Sequence, residues 1–143
     1  MVWTSRWMND NEARESQWYA LGPANEILPT GRAIALWGQF LKEKLVDVEV
    51  SDGPLRAYAS CSAVGNAMAI WIINQGFQPV KITRITIQSQ ITFRRADLYR
   101  FSGSGPEDPN PRWGWIRGMP IESNRTGGLF CSPVSVSVLS LQR

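Results

Sequence analysis

Ala67-Met68-Ala69-Ile70-Trp71-Ile72-Ile73-Asn74, closed by Gln75-Gly76, decides how the rest of the chain is read. The stretch is short, uncharged and nearly all apolar, with β-branched and aromatic residues at its centre and a turn signal directly behind it. That is the signature of a strand buried on both faces. Such a strand needs neighbours on either side and a second layer over at least one face. The surrounding residues must therefore supply further strands of matching length.

They do so from Leu45 onward. Val46, Val48 and Val50 alternate with Asp47 and Glu49, which predicts a half-buried strand. Ser51-Asp52-Gly53-Pro54 is turn chemistry. Leu55, Ala57, Ala59 and Cys61 then share one face, with Arg56, Tyr58 and Ser60 on the other. Beyond the central strand, Val80 and Ile82 are in one phase and Ile85 and Ile87 in the other, so a bulge is expected near Thr83-Arg84. A further strand is expected over residues 96–101 and a last one over 134–141, with a phase slip at Val138-Leu139. Between them lie a long loop rich in Gly, Pro and Asp and the aromatic segment Arg112-Trp113-Gly114-Trp115-Ile116. Roughly seven short strands with turns between them predict an antiparallel β-sandwich.

One amphipathic helix precedes the strands. Ala33, Leu36, Trp37, Phe40 and Leu41 follow the i, i+3, i+4, i+7, i+8 stripe. The helix is expected over residues 32–44, with Thr30 as its N-cap and Lys42 and Lys44 in the last turn. Before it lies an irregular N-terminal segment with a short strand at Val2-Trp3-Thr4-Ser5-Arg6-Trp7. The fold class is mainly β. Residues 1–44 and 45–143 divide the chain into a helix-bearing segment and a sandwich.

Composition removes several functions. Among 143 residues there is no histidine, which excludes Ser-His-Asp and Cys-His nucleophile systems and histidine-ligated zinc. No Gly-rich loop with phosphate-binding spacing is present, and no metal site or cofactor is expected. The net charge of +3 comes mostly from scattered arginines rather than a dense basic patch, which argues against a nucleic-acid partner. No apolar run approaches the roughly 20 residues that span a bilayer, so no membrane partner is expected. The opening residues carry no apolar signal-peptide core. Cys61 and Cys131 sit in strand-like contexts and read either as two buried thiols or as one disulfide.

The helix Gly31-Arg32-Ala33-Ile34-Ala35-Leu36-Trp37-Gly38-Gln39-Phe40 resembles the last barrel helix of clan A glycoside hydrolases. These are retaining enzymes whose TIM barrel is followed, in several families, by a β-sandwich. Trp71-Ile72-Ile73-Asn74, Ala96-Asp97-Leu98-Tyr99, the loop through Asp108-Pro109-Asn110-Pro111 and the closing Pro133-Val134-Ser135-Val136-Ser137-Val138-Leu139 resemble that sandwich in the same order. The resemblance implies a non-catalytic accessory domain with residues 1–44 as the end of the barrel. Its partner would be a catalytic TIM-barrel domain, in a parent protein acting outside the cell. Retaining glycosidases work with two carboxylates about 5 Å apart. In this clan these lie at the ends of the fourth and seventh barrel strands, which have no counterpart here, so the chain is not expected to be an enzyme on its own. A free-standing carbohydrate-binding module is the alternative.

For polysaccharide contact the candidates are Trp113, Trp115 and Trp18. Trp113 and Trp115 are two residues apart, hence on one side of an extended segment, with Arg112 and Arg117 nearby as donors. Trp3, Trp7 and Trp18 fall where the clan often places an aromatic of the sugar site. Glu12, Glu15 and Glu26 lie in loops with no apolar pocket to tune them and read as solvated carboxylates. Trp37 and Trp71 read as core. Asn124-Arg125-Thr126 has the form of a glycosylation acceptor.

Overall fold

The computed structural model describes residues 20–21, 26–51, 53–105, 108 and 110–143. The expected strand at residues 2–7, Trp3, Trp7, Trp18, Glu12 and Glu15 lie outside the described residues. The described chain is one helix and ten strands: α1 (Pro29–Phe40), β1 (Lys44–Val46), β2 (Leu55–Cys61), β3 (Ala67–Asn74), β4 (Val80–Ile82), β5 (Ile85–Thr86), β6 (Arg95–Ser102), β7 (Arg112–Met119), β8 (Arg125–Thr126), β9 (Leu129–Cys131) and β10 (Ser135–Gln142). Six strands form an antiparallel sheet in the order β1-β2-β3-β10-β6-β7, and the pairs β4-β9 and β5-β8 make up the opposing layer. This is the expected mainly-β sandwich, with β3 inside the sheet between β2 and β10.

The sheet has two covered faces. On one, Ile70, Ile72, Leu98, Leu139 and Leu141 pack with Leu129, Cys131, Ile87 and Phe93 from the short pairs and their loops. On the other, Ala69, Trp71 and Val138 pack under Leu36 and Phe40 of α1. A helix of this length is marginal by itself. Each large apolar side chain it buries contributes about 1.5–3 kcal/mol, so packing on the sheet, rather than propensity, holds α1 in place.

The helix begins and ends earlier than expected. Pro29 occupies its first turn, where a fixed φ suits the helix and the absent N–H is not needed. Leu28, not Thr30, is the N-cap residue; Thr30 lies inside the first turn. At the other end Leu41 leaves helical geometry, Lys42 N–H donates to Ser60 Oγ at 2.9 Å, and Lys44 already pairs with Cys61 in the sheet. Pairing thus captures the residues expected in the last helical turn. It stops at Val46 opposite Ala59, so Val48 and Val50 are exposed and belong to no strand.

The two phase slips resolve differently from expectation. At Thr83-Arg84 there is no bulge in one strand. Instead β4 and β5 separate there and pair with different partners, β9 and β8. Gly127 permits the crossing: a Cβ at that position would lie 2.1 Å from the Thr83 carbonyl oxygen. At Val138-Leu139 the strand is regular. Val138 faces α1 and Leu139 faces the short pairs, because β10 is buried on both sides.

The cysteines resolve to free thiols, Cys61 half-buried and Cys131 buried. Burial pushes the Cys131 thiol up, against an opposing hydrogen bond from Ser137 and the Arg100 charge.

Candidate functional site

The candidate tryptophans Trp113 and Trp115 are on β7, the edge strand beside β6. Tyr99 pairs with Trp115 and Phe101 with Trp113, so both indoles lie on the α1 side of the sheet, as the spacing predicts. Their surroundings differ. Trp113 is edge-on to Phe40 of α1, with ring centroids 6.3 Å apart at 90°, and 6.1 Å from Tyr99. It is 38% exposed and forms the rim of the helix–sheet core. Trp115 is 59% exposed. Its Nε1 donates to Asp97 Oδ1 at 3.2 Å, and Arg95 Nε donates to Asp97 Oδ2 at 2.6 Å.

Asp97 is the residue sequence reasoning missed. It lies on β6 in phase with Tyr99, on the face the helix covers, and is almost buried. Burial pushes its carboxyl up, but the Trp115 and Arg95 hydrogen bonds and the Arg95 charge outweigh it and hold the pKa below the ordinary aspartate value. Its place near the start of the strand, next but one to Arg95, gave no signal that β7 would cover it.

Between these groups the strand is bulged. Leu98 pairs with Arg117 and Tyr99 with Trp115, so Ile116 is the extra residue. Past the bulge Gly118 stands opposite Asp97.

The long loop after β6 is organised by its own acid. Asp108 accepts from the backbone N–H groups of Ser104 and Asn110, both at 2.8 Å. Those bonds, with the Ser104 hydroxyl and the Arg112 charge, outweigh desolvation and hold its carboxyl below the usual range. Arg32 Nη1 donates to the Pro111 carbonyl at 3.1 Å, tying α1 to the start of β7.

Asn124 is not an accessible glycosylation acceptor. It is 7% exposed and left-handed, with φ 60°. Its Oδ1 accepts from Phe93 N–H at 2.9 Å, and its Nδ2 donates to the carbonyls of Ile91 at 2.7 Å and Ser89 at 3.3 Å. The side chain pins the loop between β5 and β6. Glu26 is exposed, and among the described residues no group of three or more Cys, Asp or Glu could hold a metal ion. No described helix is long and apolar enough to cross a membrane.

Solved structures with this fold include an arabinofuranosidase, matched at TM-score 0.71 and 19% identity over 87% of this chain and 31% of that one. The family 30 subfamily 8 xylanase Xyn30A from Clostridium acetobutylicum matches at TM-score 0.68 and 17% identity, over 90% of this chain and 32% of its own. The chain shares its fold with parts of glycoside hydrolases. A third such enzyme, the α-L-arabinofuranosidase from Thermotoga maritima, matches at TM-score 0.64 and 19% identity over 82% of this chain and 29% of that one. This chain therefore spans about a third of the length of the glycoside hydrolases it matches. No family model and no curated protein sequence matches it.

Proposed function

We propose that this chain is the non-catalytic β-sandwich of a clan A glycoside hydrolase, carrying the last helix of the catalytic barrel and stabilising that barrel. On this reading residues 1–44 are the end of the barrel and 45–143 the accessory domain. One observation carries it: beyond Arg32 the outer side of α1 carries no charge. Residues 33–41 contain no charge. Leu36 and Phe40 are buried on the sheet, whereas Ala35, Gly38 and Gln39 are exposed on the outer side. An uncharged outer side with two small residues is suited to being covered as well. A Cβ at Gly38 would meet nothing within 4 Å. The small pair Ala35 and Gly38 leaves room for another helix at the usual interaxial distance of about 8–10 Å. A final barrel helix, with barrel on one side and sandwich on the other, has that environment.

The test is co-expression with the barrel encoded on the 5′ side of this chain's coding sequence. A 1:1 complex in light scattering, lost on Gly38→Lys, is the expected result. A neighbouring sequence that encodes no barrel with two catalytic carboxylates, or a barrel that ignores this chain, overturns the reading. A free-standing carbohydrate-binding module is the second reading, favoured by the exposed, braced indole of Trp115. Retention on polysaccharide by a chain with no barrel partner would select it.

A further inference from the structure

We propose that Trp115, Asp97, Arg95 and the open surface over Gly118 form a subsite for one neutral pyranose ring of a polysaccharide. The inference goes beyond the accessory role and does not need the barrel.

The bulge builds the site. Trp115 and Gly118 are three residues apart, and in a regular strand they would point to opposite faces. With Ile116 inserted, Trp115 stays opposite Tyr99 while Gly118 comes opposite Asp97, so both lie on the same face. A Cβ on Gly118 would meet nothing within 4 Å. The space over Gly118, opposite Asp97 and on the face of the strand that carries the indole, is therefore open, and a side chain at this one position would enter it. Bulges that re-aim side chains are a recurring device at binding sites.

The groups around the gap have the chemistry a sugar ring requires. An indole offers an apolar face to ring C–H groups, and Trp115 presents it with 59% of its surface exposed. Its orientation is fixed by the 3.2 Å bond to Asp97, so little rotamer freedom remains to be lost on binding. Each Asp97 oxygen accepts one protein hydrogen bond. A carboxylate has about four lone-pair sites, which leaves acceptors for hydroxyl donors, and charge-assisted bonds of this kind are the strong ones. The Arg95 side chain is 69% exposed and adds donors at the rim. A carboxylate at the base of the site disfavours uronic acids, so the ring is a neutral one. Trp113 is not a second platform: it is edge-on to Phe40 and committed to the core rim. One ring, not two, is gripped.

The chain alone is assayed for retention on insoluble xylan and microcrystalline cellulose, and for retardation in gels containing soluble xyloglucan. Binding to at least one of these is expected. Trp115→Ala and Asp97→Asn should each weaken it at least tenfold. Gly118→Val should do the same with an unchanged melting temperature, because it fills open space and removes no contact. Absence of binding to all three polymers overturns the proposal, as does binding that survives Gly118→Val. Binding by the free chain that disappears in the barrel complex also overturns it, since the flank of the sheet would then belong to the domain contact. Failure of the barrel reading alone leaves these outcomes unaffected.

Discussion

The indole of Trp37 lies flat on that of Trp71, with ring centroids 4.5 Å apart and 12° between their planes. Trp71 has no exposed surface and sits in the middle of the sheet; Trp37 is half-exposed and caps it from the helix. Tyr58 meets the edge of Trp37 at 5.7 Å. The pair extends the core that Leu36 and Phe40 form between the helix and the sheet.

Trp37→Ala should therefore weaken the packing of the helix on the sheet. Removing a large aromatic from a packed site costs about 3–5 kcal/mol when it is fully buried. Trp37 is only partly so, and about 2–3 kcal/mol is expected. Urea denaturation should show a lower midpoint with an unchanged slope if the native state stays compact.

Stability should fall in acid through Asp97. Its folded pKa is depressed, so its contribution is complete above the unfolded value of about 4 and is lost as the pH falls through the folded value. Thermal melts between about pH 5 and pH 2 should drop more steeply for the parent chain than for Asp97→Asn. Asp108 is shifted in the same direction and works in the same window, so the variant's profile flattens without becoming level.

The isolated chain should not hydrolyse glycosidic bonds. A general acid needs a carboxyl held above its ordinary pKa, and the two braced acids, Asp97 and Asp108, are held below it and cannot serve. Turnover on xylan, glucan or arabinan that a single carboxylate substitution abolishes would overturn this.

Secreted from a glycosylating host, the soluble, cooperatively melting fraction should carry no glycan on Asn124. Attaching one to Nδ2 would remove one of the two N–H donors that serve Ile91 and Ser89 and push sugar into a closed loop. Intact-mass measurement of that fraction reads the answer directly. Asn124→Ala should unfold more easily by about 1–3 kcal/mol, because it leaves buried backbone groups without partners.

The sequence was most readable where one periodicity and one burial state coincide. The uncharged residues 67–74 can only be an interior strand, and the helical stripe of Leu36, Trp37 and Phe40 does face a sheet. It was least readable where tertiary pairing decides. Nothing local to Val48 and Val50 reveals that β1 loses its partner after Val46. In β10 both phases are apolar because both faces are buried, which in one dimension looks like a slip. The real bulge falls among Trp113, Gly114, Trp115, Ile116, Arg117 and Gly118, whose pattern has no clean alternation to break. Trp115 was visible as a candidate. The acid that braces it was not, since Arg95-Ala96-Asp97 reads as an ordinary strand start until β7 is laid beside it.

The order of strands also sets a timetable for synthesis. β10 lies between β3 and β6, which otherwise belong to separate halves, β1-β2-β3 on one side and β6-β7 on the other. Until residues 135–142 leave the ribosome, each half has an unpaired inner edge and Trp71 lacks Val138 beside it. Neither half can close by local contacts, since Val138 reaches Trp71 across 67 positions of chain. Such long-range pairing is slow, and exposed strand edges invite association with other nascent chains. Completion should be a single late event, in which insertion of one strand turns two sticky half-sheets into a closed core.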